Sequence, residues 1–309
     1  MPNLTATMTG SWLIDPYVAS IIRMNVESGV SGDAPRMWTA ANREAVKLPK
    51  AVAVLPLTGI MEPRASEYTY YFGGTSTEDY GQAFDRAMND PAVKAVLLDI
   101  YSPGGMVYGT PELARKIFNA RGSKPIVAIA NPMAASAALW AGTAADRFYI
   151  TPSGEAGSHG VYQMHMDYSK AMEEDGIKAT FISAGKYKVE GNPYEPASQE
   201  FLDNAQADVE ETMGEFTSAL ARHRGKSSSY VMENFGQGRL LSAKKAVEVG
   251  LADGVMTFEQ VVSRLLSGHI RTGQAASADD LTTPVQDEFH ERRFGNVGDL
   301  QRKLAIARR

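Results

Sequence analysis

A serine and two lysines carry the residue types needed to cleave an acyl bond by nucleophilic attack. Ser136 follows the apolar stretch "PIVAIA" and stands among alanines in "NPMAASAALW". Lys186 and Lys188 lie in "SAGKYK", directly after the apolar run "ATFIS". A serine hydroxyl becomes a nucleophile when a base takes its proton, and a lysine that burial keeps neutral can be that base. The ordinary alternatives are a small-residue packing site for Ser136 and exposed charges for both lysines.

Two glycines follow the hydrophobic stretch 92–100, "AVKAVLLDI", which predicts a strand buried on both faces. Gly104 and Gly105 would leave backbone N–H groups approachable by a ligand. Sites in open parallel sheets lie beyond the carboxyl ends of the strands, and consecutive strand ends are often neighbours. We therefore expect Gly105 and Ser136 to face one space, in which N–H groups would hold developing negative charge. A plain strand-to-helix turn explains the glycines equally well.

The base for Ser136 has several candidates in the sequence. Lys186 and Lys188 have the same parity on a predicted strand, so periodicity does not choose between them. A histidine base, His159 or His165, with Asp167 as the group that orients it, is a further arrangement. The pattern leaves these alternatives open.

The remaining histidines, at positions 223, 269 and 290, are predicted to be surface residues. No cluster has metal-ligand spacing, so we expect no metal and no other cofactor. "SPGG" lacks the lysine and the Ser/Thr of a phosphate-binding loop. The chemistry is therefore expected to come from the side chains alone.

The bulk composition narrows the class of protein. The chain has 309 residues, no cysteine and a net charge of −5, which argues against disulfides, a cysteine nucleophile and a nucleic-acid partner. No apolar run approaches the roughly 18 residues of a membrane span, and the N-terminus lacks the pattern of a signal peptide. We expect a cytoplasmic protein with no membrane partner.

Alternating strand and helix patterns predict an α/β fold with a mainly parallel sheet and helical crossovers. The stretch 61–74 is interpreted as a loop or lid, and Ser76 as an N-cap with Asp79 three residues later. Predicted strands are 51–59, 92–100, 125–130, 147–151 and 179–188. Predicted helices are 16–25, 75–90, 110–122, 133–145, 168–176, 197–225, 242–255 and 257–268.

Composition divides the chain into three parts. Residues 1–48 are predicted to be an N-terminal arm, 49–267 the catalytic unit, and 268–309 a polar linker followed by a charged tail. No internal repeat is found, so the chain is expected to hold a single copy of the unit. The linker stretch "TGQAASADD" is a hypothetical site of self-processing.

Three long stretches resemble one known family. They are "LLDIYSPGGMVYG", "AASAALWAGTAADRFYITPSGEAGSHGV" and the segment from "SAGKYKVEGN" to "ALARHRG". In their order they resemble the signal peptide peptidase A family of serine peptidases, over roughly residues 51–262. The resemblance implies the Clp-protease/crotonase fold and a Ser-Lys dyad. In that dyad the serine matches Ser136, and the lysine matches Lys188 rather than Lys186.

The resemblance also implies the groups around the dyad. The oxyanion hole would be formed by the N–H groups of Gly105 and Ala137, and Ser158 would contact the lysine. Gly104 and His159 would be supporting residues beside the dyad and the oxyanion hole. The substrate would add as a strand beside the glycine segment, against Met106 and Val107.

Two departures from the family pattern stand close to the nucleophile. The stretch around the serine is "ASAAL" where the family usually has "ASGG" or similar. The alanines keep the backbone N–H donors but leave less space beside the serine. His159 replaces the isoleucine of the family's "GSIGV". That histidine either tunes Lys188 or points away from it.

The arm, the tail and the absence of an anchor resemble the tailed-phage branch of the family, the head-maturation proteases. This implies a homo-oligomeric serine endopeptidase that cleaves scaffold or capsid proteins in the host cytoplasm or within the prohead.

One alternative is a soluble bacterial protease of the signal-peptide-peptidase type. Another is an inactive capsid or scaffold component with a protease-like fold. An acyl-CoA enzyme of the crotonase class would need carboxylates at the site, and none is a good candidate.

Overall fold

A computed structural model describes residues 12–14, 46–47 and 52–270 of the chain. The predicted helix 16–25, most of the arm, the "TGQAASADD" stretch and the charged tail lie outside these residues. Within them the predicted alternation of strands and helices is confirmed. The chain folds as α/β around one mainly parallel sheet.

The sheet of the described residues has ten strands, six of which follow the order β10-β7-β6-β5-β3-β2. The pairs from β10 to β3 are parallel, as helical crossovers require. Shorter strands extend its edges: β1 lies antiparallel to β5, and β8 lies parallel to β6. The strands are β1 Trp12–Ile14, β2 Val46–Lys47, β3 Val52–Glu62, β4 Gly74–Ser76, β5 Ala95–Met106, β6 Ile126–Ala135, β7 Arg147–Ile150, β8 Glu155–Gly157, β9 Leu240–Ser242 and β10 Gly254–Val255.

Helices cover both faces of this sheet, and most begin at a residue that can cap them. Ser76 accepts a hydrogen bond from the Asp79 N–H, which confirms the predicted cap. The helices are α1 Glu67–Phe72, α2 Thr77–Asn89, α3 Thr110–Asn119, α4 Ala137–Thr143, α5 Ser169–Glu174, α6 Gln199–Arg224, α7 Ser228–Asn234, α8 Ala243–Glu248 and α9 Phe258–Ser267.

The central strands are buried on both faces, which their uninterrupted apolar sequences predict. Alternate residues of β5 enter two separate apolar clusters. Leu98 and Ile100 pack into the larger one, which includes α2, α3, α4 and the last turns of α6. Leu97 packs into the smaller one, on the side of α9. The core therefore holds the first halves of β5 and β6 from both faces of the sheet.

Strand β5 is longer than the sequence predicts, because it continues through the two glycines to Met106. The alternative of a plain strand-to-helix turn at the glycines does not hold, because residues 104 and 105 belong to the strand. The physical reason is β3, which extends alongside to Glu62 and pairs Ile60 with Gly104 and Met61 with Gly105. Strand β6 is likewise longer than predicted and ends at Ala135, immediately before Ser136.

Two other expectations were wrong. The stretch interpreted as a loop contains α1, which Ser66 and Thr69 cap reciprocally. The stretch 179–188, predicted as a strand, has no regular helix or strand. Its Ile182 is 98% exposed, so its apolar residues do not pack on the sheet as the pattern suggested.

The long helix α6 begins and ends as predicted but buries only its last part. Phe216 and Leu220 enter the core, while most of the residues before Met213 are exposed. His223, expected at the surface, is 5% exposed, and its ring stacks on Phe118 at 5.0 Å. That expectation was wrong because the sequence does not show which turn of a helix meets the core.

Replacement of Gly105 by alanine tests the contact between β5 and β3. A Cβ atom at position 105 would lie 2.0 Å from the carbonyl oxygen of Met61, which is backbone and cannot turn aside. We expect Gly105→Ala to lower the free energy of unfolding by about 3 kcal/mol or more, measured by denaturant titration.

The matched control is Gly214→Ala, because nothing lies within 4 Å of a Cβ at that position in α6. It should leave stability unchanged or raise it by about 0.5–1 kcal/mol. Equal unfolding midpoints for the two variants would contradict the packing argument.

Candidate active site

Ser136 lies at a sharp turn between a strand and a helix. It follows the last residue of β6 and precedes α4, with φ 54° and ψ −116°. Such a conformation is strained for a residue with a Cβ, by about 1–3 kcal/mol, and persists only where the surroundings hold it. Strained serines between a strand and a helix are typical of nucleophiles, because the turn presents the hydroxyl at the edge of the sheet.

The backbone of Ser136 is held on both sides of the turn. Its N–H donates to the carbonyl of Gly157 at 2.8 Å, and its carbonyl accepts from the N–H of Trp140 at 3.0 Å. The side chain makes no capping hydrogen bond to α4. The residue is 1% exposed. The hydroxyl is therefore enclosed, and it is not engaged as a cap of α4.

The second predicted element, the pair of glycines, follows the last residue of β5 that pairs with β6. Ser102 of β5 pairs with Ala134 of β6, and Gly104 and Ser136 each come two residues later. The expected meeting of Gly105 and Ser136 in one space stays a prediction. Glycine at position 105 is required by the contact with β3, so its identity alone does not argue for an oxyanion hole.

Sequence reasoning missed Ser102, which fixes the backbone before the glycines. Its hydroxyl donates to the carbonyl of Gly59 at 2.6 Å and accepts from the N–H of Gly104 at 3.1 Å. Ser102 is fully buried. Because both hydrogen bonds join backbone groups, the role of Ser102 is structural. In the sequence, only the presence of a serine directly before Pro-Gly-Gly pointed to this residue.

Ser158 is connected to Ser136 through one residue. It follows Gly157, whose carbonyl holds the Ser136 N–H, and its own N–H donates to the carbonyl of Arg239 at 2.9 Å. Its φ is 55°, so it too has a positive φ without being glycine. The structure therefore brings both predicted serines to one end of the sheet, each on a strained backbone.

His159 packs into the core beneath these serines. Its Nε2 lies 3.1 Å from the hydroxyl of Thr217, and its ring meets the edge of Phe216 at a centroid distance of 4.8 Å. The side chain is 0% exposed, and burial lowers the pKa of His159 to about 4. The ring is therefore neutral near pH 7, and no hydrogen bond or ion pair of the described residues links it to Lys188.

The two lysines differ in what holds them. Lys186 forms an ion pair with Glu200 at 2.7 Å and a hydrogen bond with the hydroxyl of Tyr187 at 2.8 Å. The hydrogen bonds to Glu200 and Tyr187 raise the pKa of Lys186, which favours its charged form. Lys188 is exposed, and no hydrogen bond or ion pair within the described part of the chain joins it to Ser136. Within one chain, the serines and the glycines thus lie at the same end of the sheet, but the predicted base, Lys188, does not join them.

The serine–histidine alternative has no support in the contacts. The ring of His165 meets the edge of Phe201 at 5.5 Å, and the carboxylate of Asp167 accepts from the N–H of Ser169 at 2.8 Å. Hydrogen bonds from Ser169 lower the pKa of Asp167. Among the described residues, neither His165 nor Asp167 is hydrogen-bonded to Ser136.

The residues predicted to contact substrate lie at the end of β5. Met106 is half-buried and is the last residue of the strand, while Val107 packs against the larger apolar cluster. Gly104 and Gly105 are paired on one side with β3, and residues 104–106 are paired on the other side with β1. The described residues contain no group of three or more potential metal ligands and no helix able to cross a membrane.

Comparisons with known proteins identify relatives of the chain. Residues 119–269 match the family model described as Peptidase family S49. The chain is 32% identical over 212 residues to Capsid assembly protease C of Escherichia phage lambda, which covers 69% of this chain and 48% of that protein. It is 35% identical over 186 residues to Putative protease MJ0651 of Methanocaldococcus jannaschii, which covers 60% of each.

The matches thus span about half to three fifths of the length of these relatives. Among solved structures, a mutant ClpP1 from Listeria monocytogenes matches with a TM-score of 0.41 and 12% identity. That match covers 66% of this chain and 90% of the other.

Replacement of His159 by isoleucine should flatten the dependence of stability on pH. The folded-state pKa of about 4 lies below the ordinary 6.5, so the unfolded chain binds the proton first as pH falls. The free energy of unfolding should therefore be highest above pH 6.5 and fall by up to about 3 kcal/mol towards pH 4. His159→Ile removes this loss, which denaturant titrations at several pH values would show.

The matched control is His269→Gln, because His269 is exposed. This variant should keep the slope of the wild type. Some acid sensitivity should remain in His159→Ile, because burial also lowers the pKa of His223, to about 3. A His159→Ile protein as acid-sensitive as the wild type would contradict a neutral core role for this ring.

Proposed function

Because this chain is related by sequence to Peptidase family S49 through residues 119–269, we propose that it is a serine endopeptidase with Ser136 as its nucleophile. The observation that carries the proposal is the strained turn at Ser136, with φ 54° between β6 and α4. A protein that needed only a small packed residue there would have no use for such a conformation. The relatives named as proteases support the same activity.

The proposed reaction follows from the groups at this end of the sheet. The Ser136 hydroxyl attacks the carbonyl carbon of the scissile peptide bond while a base accepts its proton. The N–H groups of Gly105 and Ala137 are proposed to hold the oxyanion, and removal of one such donor commonly costs about 2.7–4 kcal/mol of barrier lowering. The protonated base gives its proton to the leaving amine. Water then hydrolyses the acyl-enzyme, and the same base accepts the proton of that water.

We infer that the base is Lys188. Glu200 and Tyr187 hold Lys186 in its charged form at the surface, so Lys186 is poorly suited to accept a proton. Lys188 has no such partner among the described residues. Ser158, held next to Ser136 through Gly157, is proposed to fix the amine when it enters the site.

We further infer that Lys188 completes the Ser136 site of a neighbouring copy of the chain. Lys188 is exposed whereas Ser136 is buried, so the two are not paired within one chain. The segment around Lys188 also exposes large apolar side chains, including Ile182 at 98%, Tyr187 at 54% and Tyr194 at 43%. Their burial against a second copy would stabilise a homo-oligomer and bring the lysine to a serine at the same time.

The substrate is proposed to be an extended polypeptide, which fits the backbone of residues 104–106 as an added strand. The name of the phage lambda relative favours a capsid or scaffold protein as the natural substrate, cleaved during head maturation in the host cytoplasm or prohead. The archaeal relative favours a second candidate, a general protease outside any phage. An inactive scaffold component is disfavoured by the strain kept at Ser136.

Digestion of an unfolded, alanine-rich polypeptide tests the nucleophile and the base. We expect the wild type to cleave it, and Ser136→Ala and Lys188→Ala to lose at least about a hundredfold in kcat/KM, because each removes a group that takes part in bond making. Lys186→Ala is the matched control, two residues away, and should retain most of the activity. Activity of Lys188→Ala equal to the wild type would move the base elsewhere.

Mixing the two inactive variants tests whether the site is shared between copies. Ser136→Ala still carries Lys188, and Lys188→Ala still carries Ser136. Mixed under conditions that exchange subunits, the two should regain a part of the wild-type activity, because some serines then face an intact lysine. A mixture as inactive as either variant alone, with exchange shown by mass spectrometry, would place both groups of the dyad in one chain.

A further inference from the structure

The short strand β1 occupies the edge of β5 at which a substrate is proposed to bind. It runs antiparallel, with Trp12 opposite Met106, Leu13 opposite Gly105 and Ile14 opposite Gly104. The opposite edge of the same glycines is already paired with β3. A strand has two edges only, so β1 lies on the side that faces β6 and the Ser136 turn.

The space for β1 exists because β5 and β6 separate. Their pairing ends at Ser102 and Ala134, and β6 itself ends one residue later, while β5 continues to Met106. The N–H and C=O groups of residues 104–106 on that side would otherwise have no strand beside them. An exposed row of backbone groups is a template for another extended chain.

The direction of β1 is that of a chain approaching the nucleophile. Because it is antiparallel to β5, it passes Met106 first and reaches Gly104 with its carboxyl end. Gly104 and Ser136 each come two residues after the last pair of β5 and β6, Ser102 and Ala134. Ile14 is therefore the residue of β1 nearest along β5 to that last pair.

Building on the proposed peptidase function, we propose that Trp12–Ile14 is an internal occupant of the substrate edge, which blocks the Ser136 site until a substrate strand displaces it. Its backbone lies where the residues before a scissile bond would lie. Pairing through the main chain tolerates many sequences, so one edge can accept both this segment and a foreign polypeptide. A segment of the same chain competes at an effective concentration on the order of millimolar, so a dilute substrate is excluded.

A disulfide trap tests this occupancy directly. The chain has no cysteine, so Trp12→Cys with Met106→Cys introduces the only two thiols. Paired residues of antiparallel strands have Cα atoms about 4.5–5.5 Å apart, within the range that a disulfide spans. We expect rapid intramolecular oxidation, and at least about a tenfold loss in cleavage of an unfolded polypeptide, because the strand can no longer leave. Reduction of the same double variant should raise its cleavage at least about tenfold. Because Met106 is itself a proposed substrate contact, the oxidised and reduced forms are compared with each other and not with the wild type.

The control pairs Trp12→Cys with Tyr101→Cys. Tyr101 is an exposed residue of β5 five positions from Met106, which is roughly 16 Å along the strand. This pair should not form an intramolecular disulfide under the same oxidation. Equal oxidation of both pairs, or no oxidation of the Met106 pair, would overturn the occupancy of the edge by β1.

The cleavage measurements separate this proposal from the function on which it rests. The Trp12→Cys, Met106→Cys protein could form its disulfide and still cleave equally well in the oxidised and reduced forms. That result would overturn the proposed block by β1 and leave the proposed peptidase activity standing. Absence of cleavage in the wild type and in the reduced pair, with no labelling of Ser136 by a serine-directed phosphonate, would instead overturn the proposed function. Disulfide formation would still decide whether β1 lies on the edge.

Adjacent proline substitutions give a second test without cysteines. In an antiparallel pair the N–H groups of successive residues point to opposite sides, so only one of Leu13 and Ile14 donates towards β5. One of Leu13→Pro and Ile14→Pro should therefore raise kcat/KM several-fold, and the other should raise it less. The alanine variants at the same positions keep the N–H and should resemble the wild type. Two proline variants with the kcat/KM of the wild type would contradict the proposal.

Discussion

The parallel pairing of β5 between β3 and β6 determines where the candidate nucleophile and the two glycines lie. On one side, the Met61 backbone approaches so closely that only glycine fits at position 105. On the other, Ser102 pairs with Ala134, two residues before Gly104 and Ser136 respectively. A shift of one residue in either register would move the backbone N–H groups by about 3.3 Å and turn them to the opposite edge. The core on both faces of the sheet makes such a shift costly, so the position of the site follows from the packing of the sheet.

Strain at the site is concentrated in two serines that share one neighbour. Ser136 and Ser158 both have positive φ, and Gly157 lies between them in the hydrogen-bond network. The alanines on either side of Ser136 are fully buried, which keeps the turn from relaxing. The same enclosure surrounds the hydroxyl of Ser136, which is 1% exposed, whereas the proposed base, Lys188, is exposed.

Much of this arrangement is predictable from the sequence, and the exceptions have physical causes. The apolar runs of β5 and β6 and the cap at Ser76 are local patterns, and each is present in the structure. The continuation of β5 through the glycines is not local, because it depends on β3, more than forty residues earlier in the chain. The burial of His223 and the exposure of Ile182 likewise depend on which surfaces meet, and the same helical or apolar pattern is compatible with either outcome.

In the candidate site, too, some residues could be recognised from local sequence patterns and others could not. Ser136 was recognisable from its alanine neighbours after a strand, and the structure places it at the end of β6. Ser102 was not recognisable, because a buried serine that bonds only to backbone leaves no periodic signal. Periodicity did not separate Lys186 from Lys188. The family resemblance favoured Lys188, and the ion pair of Lys186 with Glu200, fourteen residues away, supports the same proposal.

The exposure of Lys188 has a consequence for kinetics. A site completed by a second chain is populated by association, so its catalytic rate depends on a higher power of the protein concentration than the first. Dilute chains would stay inert, and the same chains gathered in a confined volume would become active without any added regulator. Proteolysis would then report on crowding, and its onset would be set by the dissociation constant of the contact that carries Lys188.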